Sequence, residues 1–285
     1  FMIICKTVSA LQKVIANAEN QANKLGFVPT MGALHEGHIS LIHLCKKQTA
    51  TTICSIFVNP TQFSDPKDFE KYPITIEKDI LQLEQAGCDV LFLPTVQEMY
   101  PNGTQLAKPY NLGFIETILE GSSRPGHFQG VCMVVNRLLD IVQPDILFLG
   151  QKDYQQCMVI NRLIELLGLQ QKVKLVVGNT LREESGLAMS SRNMRLNNEQ
   201  KQQATAIYQS LQFIKETVAH TSIEKTEVAV KNKLLQAGFE KVDYASICNA
   251  QTLAPVTVFN AEIKLVALIA AFIGGVRLID NMPLN

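Results

Sequence analysis

The chain has 285 residues, 47% hydrophobic and 18% charged, with 26 basic and 26 acidic residues and a formal net charge of zero. This composition is typical of a folded globular protein and excludes a disordered chain. Because Lys and Arg are not in excess, we expect no nucleic-acid-binding surface. With no signal peptide and no apolar run of membrane-spanning length, we expect a cytoplasmic protein without a membrane partner. The seven scattered cysteines form no C-x-x-C pair, which is typical of buried free thiols in a reducing compartment.

The first part of the chain alternates strand and helix patterns. Apolar or β-branched runs predict strands over 2–5, 27–29, 51–58, 89–93, 146–149 and 173–177. Amphipathic spacing predicts helices over 8–24, 35–48, 76–86, 128–142 and 154–167. Residues 65–73 are charged and include two prolines, so they predict a mobile loop. Residues 94–126 predict an irregular segment with a short helix near 114–119. The alternation indicates an α/β fold: a Rossmann-like, doubly wound parallel sheet.

The pattern changes after Gly178. A polar loop over 181–193 precedes two predicted helices, 197–219 and 223–237, and then three strands, 242–247, 263–272 and 276–279. Helices followed by closely connected strands predict a small α+β domain with an antiparallel sheet. We therefore expect two domains, 1–180 and 181–285.

The segment 27–44 is the most informative part of the sequence. It reads strand, glycine turn and helix, and it places His35, Glu36, Gly37 and His38 at the start of the helix. Residues three apart share a helix face. The first turn of a helix has unpaired N–H groups and a positive dipole end, so two added imidazole donors predict a phosphate-binding site.

Two other interpretations of this segment stay open. The histidines could be ordinary buried or solvated side chains that lie near each other by chance. They could also bind zinc, but the zincin motif places its histidines at i and i+4 with Glu beside the first. Here the spacing is i, i+3, and Gly37 precedes the second histidine. The spacing therefore favours phosphate.

Polar residues follow the other predicted strands, where ligands bind in open α/β sheets. Lys152 lies between Gly150 and Asp153, and a loop after the last parallel strand reads Met189-Ser190-Ser191-Arg192. Either feature alone could be an ordinary surface segment. No Walker A sequence and no G-x-S-x-G elbow is present, which argues against a P-loop enzyme and a serine hydrolase.

Together these motifs resemble a known family. The histidine pair, the lysine and the Ser-Ser-Arg loop resemble the nucleotidylyl transferases related to class I aminoacyl-tRNA synthetases. More closely, six segments in the same order resemble the pantothenate synthetase (pantoate–β-alanine ligase) family, and they span residues 29 to 281. These segments are P-T-M-G-A-L-H-E-G-H, F-V-N-P-T-Q-F, R-P-G-H-F-x-G-V, G-Q-K-D-Y-Q-Q, L-A-M-S-S-R-N and R-L-I-D-N.

The resemblance implies a ligase that condenses pantoate with β-alanine, through a pantoyl adenylate, to give pantothenate, AMP and pyrophosphate. It implies His38, His35 and Lys152 as catalytic residues. It implies contacts with ATP by Met31, Gly32, Ala33, Leu34, His35, Glu36, Gly37, His38, Gly150, Gln151, Lys152, Asp153, Leu181, Met189, Ser190, Ser191 and Arg192. It implies contacts with pantoate or β-alanine by Gln62, Gln156 and Asn59. Mg²⁺ would arrive with ATP, so no protein metal ligand is expected.

The resemblance also implies a homodimer formed through the N-terminal domain. Two positions depart from the family pattern. Ile74 follows Tyr72-Pro73 where the family has Arg, and the segment Tyr244 to Asn249 lacks an expected acidic residue. A nucleotidyl transferase that stops at a nucleotide product, a zinc hydrolase and a non-enzymatic binding protein remain alternatives. The Asn59, Gln62 and Gln156 amides favour the ligase, since amides both donate to and accept from a hydroxy acid.

Overall fold

The computed structural model describes residues 1–19, 24–64 and 66–285 and divides the chain into two compact units. The first unit comprises Phe1–Gly150 and Gln156–Asn179, and the second comprises Gln151–Gln155 and Thr180–Asn285. The segment Gln151–Gln155, which a boundary after residue 180 would assign to the first domain, therefore belongs to the second unit.

The first unit contains six strands and eight α-helices within the described residues. The strands are β1 (Ile3–Cys5), β2 (Leu25–Thr30), β3 (Thr51–Ile56), β4 (Val90–Phe92), β5 (Ile146–Gly150) and β6 (Lys174–Gly178). The helices are α1 (Val8–Glu19), α2 (Glu36–Lys46), α3 (Pro66–Glu70), α4 (Ile76–Gln85), α5 (Val96–Met99), α6 (Leu119–Ser123), α7 (His127–Val142) and α8 (Tyr154–Leu166), the last beginning in the second unit.

The strands form one parallel sheet in the order β1-β4-β3-β2-β5-β6. Along the chain, strands are added on one side of β2 as far as β4, and then on its other side from β5. The order therefore reverses between β2 and β5, and ligands of doubly wound sheets bind at such a point, outside the carboxyl ends of the strands.

Each face of this sheet is covered by its own apolar layer. Successive strand residues point to opposite faces, so Phe27 packs with α1, α7 and α8 while Val28 packs with α2 and α4. Leu147 and Phe148 divide in the same way. Strands buried on both faces require the continuous apolar runs seen in the sequence. The prediction of a doubly wound sheet is confirmed.

The second unit is an α+β layer. Its helices α9 (Asn198–Thr217) and α10 (Ile223–Gln236) pack on the antiparallel sheet β7 (Lys241–Asn249), β8 (Leu265–Ile273) and β9 (Val276–Pro283). Gly274 and Gly275 have φ of 58° and 67° and join β8 to β9. A two-residue hairpin with both φ values positive favours glycine at both positions. The predicted small antiparallel domain is confirmed.

The structure differs locally from the sequence prediction. The predicted loop over 65–73 contains α3, although its first residue lies outside the described part of the chain. The first helix is described to Glu19, and residues 20–23 of its predicted extent lie outside the description. All seven cysteines are buried, and none of them forms a disulfide bond. None of the described helices is both long enough and apolar enough to span a membrane.

Candidate active site

Three neighbouring strands bring the predicted residues of the first unit to one edge of the sheet. In the order β3-β2-β5, the carboxyl ends lead into the segments that carry Asn59 and Gln62, His35 and His38, and Gly150. Thr30 pairs with Ile56, so β2 and β3 end level with each other. The edge lies at the reversal of strand order, where a ligand is expected.

The turn between β2 and α2 is held by a buried carboxylate. Gly32 and Ala33 have φ of 80° and 48°, so two successive residues adopt the left-handed conformation. The Asp79 carboxylate accepts hydrogen bonds from Ala33 N and Leu34 N, both at 2.9 Å, and from Thr75 Oγ1 at 2.9 Å. Asp79 is fully buried. These three donors stabilise a charge in the interior and fix the strained turn.

Asp79→Asn is expected to loosen this turn. An asparagine has the same shape but replaces one acceptor oxygen by an NH₂ group, which faces a donor of the turn. Leaving one buried group unsatisfied should lower the free energy of unfolding by about 1–3 kcal/mol. Urea unfolding measures this change, with Asp140→Asn on the exposed end of α7 as the control. Unchanged stability would contradict the role of Asp79.

The two histidines cap the start of α2 reciprocally. His35 is the N-cap residue, and its Nδ1 accepts from Gly37 N at 3.1 Å. His38 Nδ1 accepts from His35 N at 3.3 Å, which closes a capping box. The ring centroids are 4.0 Å apart. Both rings are therefore fixed at the N-terminal end of the helix, where backbone N–H groups and the dipole favour an anion.

These bonds determine which ring nitrogen carries the proton. A backbone N–H can only donate, so each Nδ1 acts as an acceptor, and the proton of each neutral imidazole lies on Nε2. Both histidines are thus Nε2–H donors without needing a positive charge. Two such donors added to the helix N-terminus suit the oxygen atoms of a phosphate chain.

Asn59 and Gln62 lie after β3 and are joined by a side-chain hydrogen bond. Asn59 Nδ2 donates to Gln62 Oε1 at 3.1 Å and to Gly130 O at 3.1 Å. Asn59 Oδ1 accepts from Tyr100 Oη at 2.9 Å and from Thr61 Oγ1 at 3.0 Å. Asn59 is fully buried. Both of its N–H groups are therefore used within the protein, and the orientation of the Gln62 amide is fixed.

Gln62 presents its other amide atom to β2's turn. Because Oε1 accepts from Asn59, Nε2 lies on the opposite side, 3.2 Å from Met31 Sδ. The main-chain oxygen of Gln62 accepts a hydrogen bond from His127 Nδ1 at 2.8 Å.

Burial raises the pKa of Tyr100 to about 12, so the Tyr100 hydroxyl stays a donor to Asn59 at neutral pH.

The second unit carries the remaining predicted residues on two segments. Gln151–Asp153 forms a 3₁₀ turn, in which Lys152 Nζ lies 3.8 Å from an Asp153 carboxylate oxygen. The other segment runs from Leu181 to Arg192, and Ser190 caps the 3₁₀ helix Ser191–Arg195 by accepting from Arg192 N at 3.2 Å. Hydroxyls, N–H groups and cations together suit phosphate oxygens.

The structure thus joins several predicted residues directly: His35 with His38, Met31 and Asn59 with Gln62, and Ser190 with Arg192. Gln156 lies partly exposed in the first turn of α8, and no described hydrogen bond connects it with Gln62. In the described residues, no group of three or more His, Cys, Asp or Glu side chains is arranged to hold a metal ion.

Three further residues hold this edge, and the sequence carries no signal of their partners: Asp79, Tyr100 and His127. Asp79 lies in an ordinary amphipathic helix, where nothing in the pattern indicates a contact with another segment. His127 belongs to the R-P-G-H-F-x-G-V segment, so the sequence marks it as a candidate residue, but it does not indicate which residue His127 contacts.

The comparisons with known proteins agree along the whole chain. The family described as Pantoate-beta-alanine ligase matches residues 3–283. A pantothenate synthetase of Cytophaga hutchinsonii is 43% identical over 283 residues, which cover 99% of both chains.

Solved structures give the same result. The crystal structure of a Thermus thermophilus pantothenate synthetase has a TM-score of 0.91 at 37% identity and covers 99% of both chains. A Francisella tularensis pantoate–β-alanine ligase, crystallised with β,γ-ATP and β-alanine, has a TM-score of 0.83 at 38% identity and covers 100% of this chain and 98% of its own.

Proposed function

The chain belongs to the pantoate–β-alanine ligase family, and we propose that the carboxyl edge of β3, β2 and β5 binds its substrates. The enzyme condenses pantoate with β-alanine in an ATP-dependent reaction that gives pantothenate, AMP and pyrophosphate. A carboxylate oxygen of pantoate attacks the α-phosphorus, and the bond to pyrophosphate breaks with its electron pair. The amine of β-alanine then attacks the acyl carbon, loses a proton and expels AMP.

The observation that carries this assignment is the pair of Nε2–H donors at the start of α2. Negative charge grows on phosphate oxygens as pyrophosphate leaves, and preorganised donors stabilise that charge without further rearrangement. His38 and His35 are fixed by their mutual capping bonds. We therefore assign them to the triphosphate, with His38 as the principal donor, and the turn from Met31 to Gly37 to the nucleotide.

The second unit supplies groups of the same chemistry. The Lys152 ammonium suits phosphate and carboxylate oxygens, and Ser190, Ser191 and Arg192 suit the β- and γ-phosphates. Gly150, Gln151 and Asp153 are assigned to the ribose side, and Leu181 and Met189 to the adenine. Mg²⁺ would bind chiefly to the phosphates of ATP itself.

Gln62 and Gln156 are the residues we assign to pantoate, whose hydroxyls and carboxylate need both donors and acceptors. Asn59 has a different role. The two N–H groups of Asn59 already bind Gln62 and Gly130, so Asn59 acts on pantoate through Gln62. It holds the Oε1 atom of Gln62 and thereby points the Nε2–H group of Gln62 away from Asn59. Tyr100 supports Asn59 in turn.

Asn59→Asp tests this positioning role. The carboxylate would face Gln62 Oε1, so the Gln62 amide should rotate and present oxygen instead of N–H to the substrate. The KM for pantoate should rise about 5- to 150-fold, equivalent to one lost buried hydrogen bond at about 1–3 kcal/mol, while the KM for ATP should stay unchanged. Asn136→Asp, the same change at an amide that donates to Tyr110, is the control. An equal rise in both KM values would argue against the role.

The reaction itself is tested by pyrophosphate–ATP exchange with Mg²⁺ and no amine. Exchange that depends on pantoate is expected, because adenylation is a reversible half-reaction that precedes β-alanine. A folded, ATP-binding protein that shows no exchange with pantoate would contradict the assigned substrate. Metal analysis of the same preparation tests the zinc alternative.

We further propose that the protein is a homodimer that works in the cytoplasm. The seven buried cysteines, none of which forms a disulfide bond, support a reducing compartment. The edge strand β1 leaves Ile3 and Ile4 about half exposed in the described chain, at 49% and 42%, which supports an apolar contact there. The molecular mass in solution measures the oligomeric state.

A further inference from the structure

Two polar side chains are buried next to each other near the end of β9. Asp280 and Asn281 are 4% and 2% exposed, although their strand belongs to an apolar sheet. Successive strand residues point to opposite faces, so the two side chains serve different neighbours. Buried polar groups are unfavourable unless they are hydrogen-bonded. The reaction described above assigns no role to Asp280 or Asn281. Their hydrogen-bond partners therefore indicate what the two residues do.

Asn281 binds the turn that carries Lys152. Its Nδ2 donates to Gln151 O and to Lys152 O, both at 2.9 Å, and its Oδ1 accepts from Gln151 Nε2 at 3.3 Å. Both N–H groups of the amide are therefore used on two successive residues. Asn281 fixes the backbone from which the Lys152 side chain extends. These bonds fit the grouping of Gln151–Gln155 with the second unit.

Asp280 binds the other phosphate-directed segment. Its carboxylate pairs with both terminal nitrogens of Arg182, with Nη2 at 3.1 Å from Oδ1, and it accepts from Asn281 N at 2.8 Å. The Arg182 guanidinium also lies over the Tyr208 ring at 4.3 Å. A planar guanidinium bound in this way at its edge and its face has little freedom to move.

Fixing Arg182 fixes the loop that follows it. Arg182 is bridged to Ala188 in antiparallel fashion, and Met189 N donates to Leu181 O at 3.0 Å. The loop is thus a small hairpin that ends directly before Ser190. Its position relative to β9 is set by the Asp280–Arg182 pair.

We propose that Asp280 and Asn281 are positioning residues for the triphosphate, one setting the hairpin that leads to Ser190 and the other setting the Lys152 turn. Neighbours on one strand thereby hold the two segments at a fixed spacing. The inference rests on the proposed function, since it requires that these segments bind ATP. A group displaced by about 1 Å can lower a rate about 100-fold, so such support matters for adenylation.

Asn281→Asp is the sharpest test, because it keeps the shape and the acceptor for Gln151 Nε2 but turns both carbonyl contacts into repulsions. Pantoate-dependent pyrophosphate exchange should slow about 10- to 100-fold. The reaction of supplied pantoyl adenylate with β-alanine should slow by a smaller factor, because pantoyl adenylate carries no β- or γ-phosphate, although it keeps the ribose assigned to Gln151 and Asp153. Asp280→Asn should show the same selectivity with a smaller loss, since one neutral oxygen still accepts from Arg182.

Asn285→Asp is the matched control. Asn285 also donates from Nδ2 to two carbonyls, Ala261 O at 3.4 Å and Ile263 O at 2.9 Å, but none of its described hydrogen bonds reaches the Lys152 turn. It should leave both half-reactions at wild-type rates. Equal losses in the two half-reactions of Asn281→Asp, or an Asn281→Asp variant as active as Asn285→Asp, would overturn the inference.

An unfolded variant and an inactive wild-type protein are distinguished from a failure of the positioning role. If circular dichroism shows that Asn281→Asp is unfolded, Asn281→Ser is judged by the same comparison of half-reactions, since it retains one donor and removes the repulsion. Wild-type protein without pantoate-dependent exchange would contradict the proposed function itself. Active wild type with an unaffected Asn281→Asp variant would overturn only the positioning role.

Discussion

Replacing His38 with alanine is expected to lower the rate of pantoate adenylation by about two to three orders of magnitude, the usual effect of removing one preorganised donor to a developing charge. The physical reason is the fixed tautomer. His38 Nδ1 accepts from His35 N, so the neutral ring carries its proton on Nε2 and donates from that atom. Alanine removes that donor and leaves the backbone N–H groups of the helix in place. Pyrophosphate–ATP exchange at saturating pantoate measures the loss.

The same helix provides a control for this substitution. His43 is exposed near the C-terminal end of α2, and His43→Ala should retain wild-type exchange. His38→Ala also loses half of the capping box, which is expected to reduce the free energy of unfolding by about 0.5–2 kcal/mol. Thermal melting separates that effect from the loss of rate. A folded His38→Ala variant with near-wild-type exchange would remove His38 from its assigned role.

The architecture could be predicted because its signals are local. Strands such as β3 and β5 are buried on both faces and therefore appear as continuous apolar runs, and the paired glycines 274 and 275 mark the β8–β9 turn. The two prolines in 65–73 predict a loop, whereas the structure has the helix α3 in this segment. Pro66 stands at the first position of α3, where a proline needs no N–H partner.

The same distinction between local and long-range signals applies to the candidate site. His35 and His38 could be identified because a capping pair needs residues only three positions apart. The residues that hold the site act across long distances in sequence: Asp79 binds Ala33 from 46 positions away, Tyr100 binds Asn59 from 41, and Asn281 binds Lys152 O from 129. No periodicity encodes such contacts, since each depends on how the sheet brings separate segments together.

Gly130→Ala is expected to weaken both the fold and the pantoate side of the site. Gly130 lies in the first turns of α7, where the helix packs directly on the backbone of 60–62. A Cβ at this position would lie 2.7 Å from Gln62 N and closer still to the Thr61 carbonyl. Backbone atoms cannot rotate aside as a side chain can, so α7 or the 60–62 turn must shift. Overpacking of this kind lowers the free energy of unfolding by about 1–3 kcal/mol.

The sign of this effect distinguishes packing from helix propensity. Alanine is more favourable than glycine in a helix interior by about 1 kcal/mol, so propensity alone predicts that Gly130→Ala stabilises the protein. Asp140→Ala, on the exposed side of the same helix, measures a helix substitution without a packing conflict and should change stability by less than about 0.5 kcal/mol. Because Asn59 Nδ2 donates to Gly130 O, a displaced helix also disturbs the amide that orients Gln62. Gly130→Ala should therefore raise the KM for pantoate more than the KM for ATP. A variant with increased stability and an unchanged KM for pantoate would show that α7 does not hold the 60–62 turn, which carries Gln62.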